Sequence, residues 1–306
     1  MTAIAESQPP QRPLAIVNPG SGRADVARVT EQLRARLPDV AVWETPGEGD
    51  LVGLVRAHID ATGPDVVVAV GGDGTVSAVA TALTGRDVRL GIIPTGTANV
   101  LANELGIPMQ LAAACDVVAA GGTRRIDAMH YAGRRCLCRI GVGTFGEVGQ
   151  QTSAEAKKRA GGLAYVWNAL PRAFDPRPRR FALEVDGRRV VLDAATVVVT
   201  NLAAVGFGQL RWGPNVRLDD GHADVFVIHA EGLGDGLSVL WNAIRDGASE
   251  AAEVSHLCAR ARVRIELEED VATVADGEYL PGRVHEVRIE PAALDVLAPP
   301  TVLEST

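Results

Sequence analysis

The run Val66-Val67-Val68-Ala69-Val70 is β-branched, wholly apolar and passes straight into Gly71-Gly72-Asp73-Gly74-Thr75. A strand that is apolar on both faces is a central parallel strand covered on both sides, and the glycines end it. Residues 76–83 then carry a helical pattern. The unit recurs. Residues 14–17 form an apolar run that stops at Asn18-Pro19-Gly20-Ser21-Gly22, and residues 90–93 stop at Pro94-Thr95-Gly96-Thr97-Ala98-Asn99 before an apolar helix to Leu105. Between them, Val26, Val29, Leu33 and Leu37 fall at helical spacing, residues 40–43 read as a short strand, and residues 51–61 read as a helix with Asp50 as its N-cap. Strand, glycine loop and helix in repetition predict an open α/β sheet. Such sheets bind ligands beyond the carboxyl ends of their strands, where all three glycine-rich loops fall.

The texture changes near residues 127–131. Residues 135–142, 179–185, 190–201, 223–229, 263–267, 271–275 and 284–289 are β-rich, separated by Asp186-Gly187, Asp220-Gly221 and Asp276-Gly277. Helical patterns interrupt at 154–174 and 233–252. The prediction is a disordered lead-in over 1–13, an α/β domain over 14–128 and an antiparallel β-sandwich or flattened barrel over 129–300.

Composition narrows the function classes. The 306 residues are 47% hydrophobic and 22% charged, which is globular rather than disordered or fibrous. The longest uncharged stretch, 194–210, contains Asn201, Gly206 and Gly208 and is too short and too polar to span a bilayer. The N-terminus lacks the basic and apolar regions of a signal peptide. Four cysteines and six histidines adopt neither a disulfide framework nor a zinc-finger spacing, which suits buried thiols in a reducing cytoplasm. The net charge of −8 argues against a nucleic-acid partner, but not against a local phosphate site made of backbone N–H groups and a metal ion.

The GGDGT loop has the logic of a phosphate site: glycines admit a polyphosphate to the backbone, and the next helix points its positive end at it. Asp73 would then hold Mg²⁺, a metal-bound water or a nucleotide hydroxyl. A tight strand-to-helix turn with a capping Asp fits the motif equally well when it stands alone. Thr97 adds a hydroxyl donor from the third loop, and Asn18 and Ser21 add side-chain donors from the first. GxxxxGK[ST] is absent, as are a kinase HRD/DFG set in sensible order and a GxGxxG after the first strand.

NPGSG, Thr45, GGDGT and PTGTAN, in this order and spacing, resemble the diacylglycerol kinase catalytic-domain family. The likeness is to its soluble bacterial lipid kinases, which also resemble sphingosine kinases. It continues through Arg125-Ile126-Asp127, Asp219-Asp220-Gly221-His222-Ala223-Asp224 and Asp276-Gly277-Glu278, and covers about residues 14–299. It implies an α/β nucleotide domain followed by a β-sandwich, with the active site in the cleft between them. It implies ATP contacts at Asn18, Pro19, Gly20, Ser21, Gly22, Thr45, Gly71, Gly72, Asp73, Gly74, Thr75, Val76, Ser77 and Thr97. It further implies Glu278 as general base, Asp73 and Asp127 orienting the catalytic Mg²⁺, and a structural Mg²⁺ held by the Asp220 carboxylate and the main-chain carbonyls of Arg217 and His222.

Phosphoryl transfer asks a protein chiefly to position groups and neutralise charge. Glu278 would accept the proton of a lipid hydroxyl as it attacks the γ-phosphorus. Two positions depart from the family pattern: Ser77 stands where Asn is common, and Val100 where Asp is common, removing a polar group near the site. The acceptor could be diacylglycerol, phosphatidylglycerol, a sphingoid base or another alcohol. The expected partners are ATP and a lipid at the membrane surface, reached by transient peripheral contact, with a homodimer also open. Residues 160–174, with Tyr165, Trp167 and Phe174 flanked by Lys157, Lys158, Arg159, Arg172, Arg177, Arg179 and Arg180, suit an anionic leaflet or, alternatively, packing on the β domain. An NAD kinase shares the GGDGT loop, but its serine-threonine motif and Asn-Glu pair are missing. A nucleotide sensor without turnover is the other alternative.

Overall fold

The protein is described by a computed structural model for residues 8–21, 25–46, 49–146, 178–205 and 210–300. The chain forms two compact units: Met1–Ile126 together with Ala292–Thr306, and Asp127–Pro291.

The first unit runs β1 (Pro13–Val17), α1 (Val26–Arg34), β2 (Ala41–Glu44), α2 (Leu51–Thr62), β3 (Val66–Gly71), α3 (Asp73–Ala82), β4 (Arg89–Pro94), α4 (Val100–Glu104), α5 (Leu111–Ala120) and the start of β5 (Thr123–Tyr131). Asp25 and Asp50 cap α1 and α2, accepting from Arg28 N–H and Gly53 N–H. The strands are parallel in the order β2-β1-β3-β4, with Ala15 beside both Val42 and Val68, and Val68 beside Gly91. Val66 to Val70 are completely buried, as the unbroken apolar run requires. Burying each such valine is worth roughly 1.5–3 kcal/mol. Because β2 lies on one side of β1 and β3 on the other, the winding direction reverses between β1 and β3. That reversal opens a crevice at their carboxyl ends.

Residues 8–12, predicted as part of a disordered lead-in, are tied down instead. Gln8 N–H donates to Gly121 O at 3.2 Å, and Gln11 and Arg12 N–H donate to Asp65 at 2.9 and 2.6 Å. Burial pushes the Asp65 carboxyl up, but those two bonds and the neighbouring Arg89 outweigh it and hold it below the ordinary value.

The second unit takes up β5 and continues through β6 (Arg134–Cys136), β7 (Arg139–Gly143), β8 (Arg179–Val185), β9 (Arg188–Ala194), β10 (Thr196–Thr200), β11 (Ala223–Ile228), α6 (Leu233–Arg245), β12 (Val254–Ala259), β13 (Arg262–Val271), β14 (Thr273–Ala275), β15 (Glu278–Tyr279) and β16 (Gly282–Leu297). One antiparallel sheet has the order β12-β11-β10-β7-β14-β15; the other runs β9-β8-β13-β16, with β5 beside β16 and β6 beside β5. Ile140, Val142, Val197, Val199 and Val225 from the first face meet Phe181, Leu183, Val263, Ile265 and Val287 from the second in one core, which makes the unit a β-sandwich.

Three boundaries and two elements differ from the sequence prediction. Residues 135–142 are two strands, broken at Leu137-Cys138. The helix predicted over 233–252 ends at Arg245, followed by a 3₁₀ turn at Ala248–Glu250. The second domain does not run to 300, because residues from Ala292 onward rejoin the first unit, where Val296 pairs with Leu90. α5 and β12 carried no sequence signal. The helix predicted over 154–174 lies outside the described residues, as does the aromatic and basic segment up to Arg177. Among the described residues, no helix is long and apolar enough to cross a membrane.

Candidate active site

In the first unit the three predicted loops are joined at the β1/β3 crevice. Asn18 N–H donates to Val70 O at 3.0 Å, and its Nδ2 donates to Thr75 Oγ1 at 3.1 Å, so the first loop is bonded to the second. Asn18 Oδ1 accepts from Gly20 N–H at 3.0 Å, fixing the turn. Ser21 Oγ and Thr95 Oγ1 lie 2.6 Å apart, which joins the first loop to the third. Thr95 N–H donates to Gly71 O at 3.0 Å. The second and third loops touch backbone to backbone: a Cβ on Gly96 would lie 2.5 Å from the Gly72 Cα, so neither loop could approach if Gly96 carried a side chain. Asn99 holds the left-handed conformation (φ 46°), accepts from Gly96 N–H at 3.1 Å and donates to Gly96 O at 2.8 Å.

Asp73 opens α3, and its Oδ1 lies 3.4 Å from Leu101 N of α4. Two helix N-termini therefore flank one partly exposed carboxylate. No Lys or Arg occurs in residues 18–21, 71–75 or 95–99. Among the described residues of the three loops an anion meets N–H groups and hydroxyls, and the Asp73 carboxylate beside it calls for a cation between them. A partly exposed carboxylate offers the hard oxygen that Mg²⁺ takes, and Mg²⁺ keeps several waters when bound.

The predicted contacts divide by exposure. Pro19, Gly20, Gly74 and Thr97 are exposed, and Asn18, Ser21, Gly72 and Ser77 are half-buried. Gly71, Thr75 and Val76 are buried, and Thr75 Oγ1 is engaged by Asn18. Thr45 is buried at the end of β2, its N–H donating to Val17 O at 2.8 Å. Gly22 lies outside the described residues. Val100, the departure from the family pattern, is buried at the start of α4 and packs as core. Thr95 and Asn99 were not singled out in the sequence, although both lie inside PTGTAN.

In the second unit, Asp127 is buried and clasps the DDG turn. Its Oδ2 accepts from Gly221 N–H at 2.7 Å, its N–H donates to Leu218 O at 2.7 Å, and its carbonyl accepts from Asn201 Nδ2 at 2.9 Å. Within the turn, Asp220 Oδ1 accepts from His222 N–H at 3.1 Å. One partly exposed carboxylate with the predicted carbonyls of Arg217 and His222 is an all-oxygen set that suits Mg²⁺ with water completing the shell.

Asp276 and Gly277 both have positive φ (45° and 86°), the pattern of a type I′ hairpin turn between β14 and β15. The Asp276 carboxylate accepts from Leu137, Cys138 and Arg139 N–H at 2.7–3.0 Å and from the Cys136 thiol at 2.9 Å. It therefore holds the break between β6 and β7. Burial is the main cause that pushes the Cys136 thiol well up. Glu278 stands beside this clasp, half exposed, and forms an ion pair with Arg134 of β6. Arg134 lies 144 positions away and gave no sequence signal.

Residues 12–131 match the family described as the diacylglycerol kinase catalytic domain, and residues 139–298 match the YegS C-terminal NAD kinase beta sandwich-like domain. The chain is 29% identical over 277 residues to the diacylglycerol kinase of Bacillus subtilis strain 168, covering 87% of this chain and 90% of that one. It is 30% identical over 243 residues to the Escherichia fergusonii protein named "Probable lipid kinase YegS", covering 78% and 79%. Its fold superposes on a diacylglycerol kinase structure from Bacillus anthracis str. Sterne with a TM-score of 0.74 at 23% identity, covering 96% and 99%. A second chain from that organism reaches 0.82 at 24% identity. A glycine-loop α/β unit followed by this β-sandwich defines a two-domain kinase architecture. The chain belongs to the bacterial lipid kinase family that contains diacylglycerol kinase and YegS.

Proposed function

We propose that this kinase transfers the γ-phosphoryl group of ATP to the hydroxyl of a lipid alcohol of the diacylglycerol type, in the presence of Mg²⁺. The observation that carries the proposal is the Gly72–Gly96 contact at the β1/β3 crevice, which brings two glycine loops and the start of α3 into one cradle. Backbone N–H groups of Gly72, Gly74 and Thr97 bind the phosphoryl oxygens, while the Gly20 and Ser21 N–H groups are spent on Asn18 and hold the first loop in shape beside them. Mg²⁺ supplies neutralisation of the β- and γ-phosphoryl charge when bound. Asp73 holds that cation against the loop. Asp127 keeps the DDG turn in shape, so that Asp220 with the Arg217 and His222 carbonyls can hold a second, structural cation.

Glu278 accepts the acceptor hydroxyl proton as the oxygen attacks phosphorus, and Arg134 fixes the direction of its carboxylate. General-base help of this kind is worth about 10²–10⁴ in rate. The bilayer-borne acceptor implies transient contact with a membrane surface. The test follows label from γ-labelled ATP in wild type, Glu278→Gln and Asp73→Ala. Glu278→Gln should bind ATP normally and lose turnover by about that factor, and Asp73→Ala should lose its dependence on Mg²⁺ together with its activity. Near-normal turnover in Glu278→Gln removes Glu278 from the role, and transfer to NAD but to no lipid overturns the acceptor class.

A further inference from the structure

We propose that Asp224, His256 and Cys258 form a binding site for a divalent cation of the Zn²⁺ class, separate from the all-oxygen DDG turn and independent of the kinase proposal. The antiparallel register of β11 and β12 sets Asp224 opposite Cys258 and Phe226 opposite His256, so the four side chains leave one face of the six-stranded sheet at its edge. Their ligand atoms all lie within 4.8 Å of one another. Cys258 Sγ is 3.7 Å from Asp224 Oδ1 and 3.9 Å from His256 Nε2, while Oδ1 and Nε2 are 2.6 Å apart. With Zn–S near 2.3 Å and Zn–N or Zn–O near 2.0–2.1 Å, a tetrahedron has S···N and S···O edges of about 3.5 Å and an N···O edge of about 3.3 Å. The two sulfur edges are therefore almost in place, and only the Asp224–His256 hydrogen bond has to open.

The imidazole is oriented in advance. His256 stacks on Phe226 (centroids 4.5 Å apart, planes at 14°), which stacks in turn on the buried Trp212 (4.8 Å, 10°). Asp224 is almost fully buried beneath, whereas Cys258 is exposed and His256 partly so, leaving the fourth position to water. One nitrogen, one oxygen and one sulfur make a borderline-soft donor set that selects Zn²⁺ over Mg²⁺. On binding, the thiol proton leaves to solvent and Nε2 gives up its hydrogen, the neutral ring then carrying it on Nδ1. The ion would pin the edge strand β12 to β11, next to the turn in which Arg260 Nε donates to His222 Nε2 at 2.8 Å.

The test uses the full chain, stripped with chelator under a non-thiol reductant and titrated with Co²⁺. A thiolate-to-cobalt charge-transfer band should grow to one equivalent, disappear when Zn²⁺ is added, and be absent in Cys258→Ser. Cobalt at the DDG turn gives no such band, since that set has no sulfur. His256→Ala should weaken binding at least about tenfold. No band in wild type, a band that survives Cys258→Ser, or unchanged affinity in His256→Ala overturns the proposal.

Discussion

Gly74 separates a loop shaped for its own folding from a loop shaped for a ligand. It is the second residue of α3, exposed, without positive φ, and an added Cβ would meet nothing within 4 Å. The protein itself therefore has no need of glycine there. Gly74→Ala should stabilise the chain without nucleotide by about 0.5–1 kcal/mol, since alanine loses less backbone entropy in a helix. For a unit of this size that is a rise of roughly 1–4 °C in Tm. With ATP and Mg²⁺ the order should reverse, because the methyl occupies the space a phosphoryl oxygen must enter. Wild type at a hundredfold excess over Kd gains about 2.7 kcal/mol, and a tenfold loss of affinity removes about 1.3 kcal/mol of that. The assay is thermal unfolding of both proteins with and without nucleotide. A variant that melts above wild type in both conditions would refute the claim that this glycine serves a bound phosphate. Gly96→Ala is the contrasting case: its Cβ falls 2.5 Å from the Gly72 Cα, so it should lose about 1–3 kcal/mol without any ligand.

Asp276→Ala leaves three backbone N–H groups unpaired around the buried Leu137 and Cys138, for a loss on the order of 3–5 kcal/mol in urea unfolding. Asp186→Ala removes the same three-fold clasp from the exposed residues Arg260, Ala261 and Arg262, where water can replace it, and should cost about 1 kcal/mol. Equal losses would contradict the burial argument. His285 accepts from Tyr131 O–H at 2.8 Å, and its Nε2 lies 3.0 Å from Gly282 O. Burial lowers its pKa from the ordinary 6.5 and raises that of Tyr131 to about 12. As pH falls below 6.5 the unfolded chain takes up a proton that the folded chain refuses. Stability then drops by up to about 1.4 kcal/mol per pH unit until the folded value is reached. His285→Gln should flatten this slope below pH 6.5, and an unchanged slope would show that His285 is not its source.

The sequence was most informative where structure is local. Asp50 caps α2 through a bond three residues away, and the valine run of β3 carries its own burial pattern. The Asp-Gly turns were visible for the same reason, since positive φ demands those residues. Features that depend on distant partners leave no local mark. Nothing near Leu137 marks the strand break that Asp276 imposes from 139 positions away. α5, rich in alanine and valine, has no polar face to mark its period. β16 runs 16 residues across Pro291 into the other unit, which local composition cannot reveal. In the site, the loops and Asp73 were legible as motifs. The Asn18–Thr75 and Ser21–Thr95 bonds that join them were not, because they link residues 57 and 74 positions apart.

Phosphoryl transfer to a lipid alcohol leaves a product whose added mass can be weighed. The purified chain is incubated with ATP, Mg²⁺ and mixed micelles that each contain one alcohol: diacylglycerol, phosphatidylglycerol or a sphingoid base. Mass spectrometry should find one of them heavier by a phosphoryl group, with one ADP released per product. Nucleotide bound at the loops while every lipid stays unmodified would contradict the account.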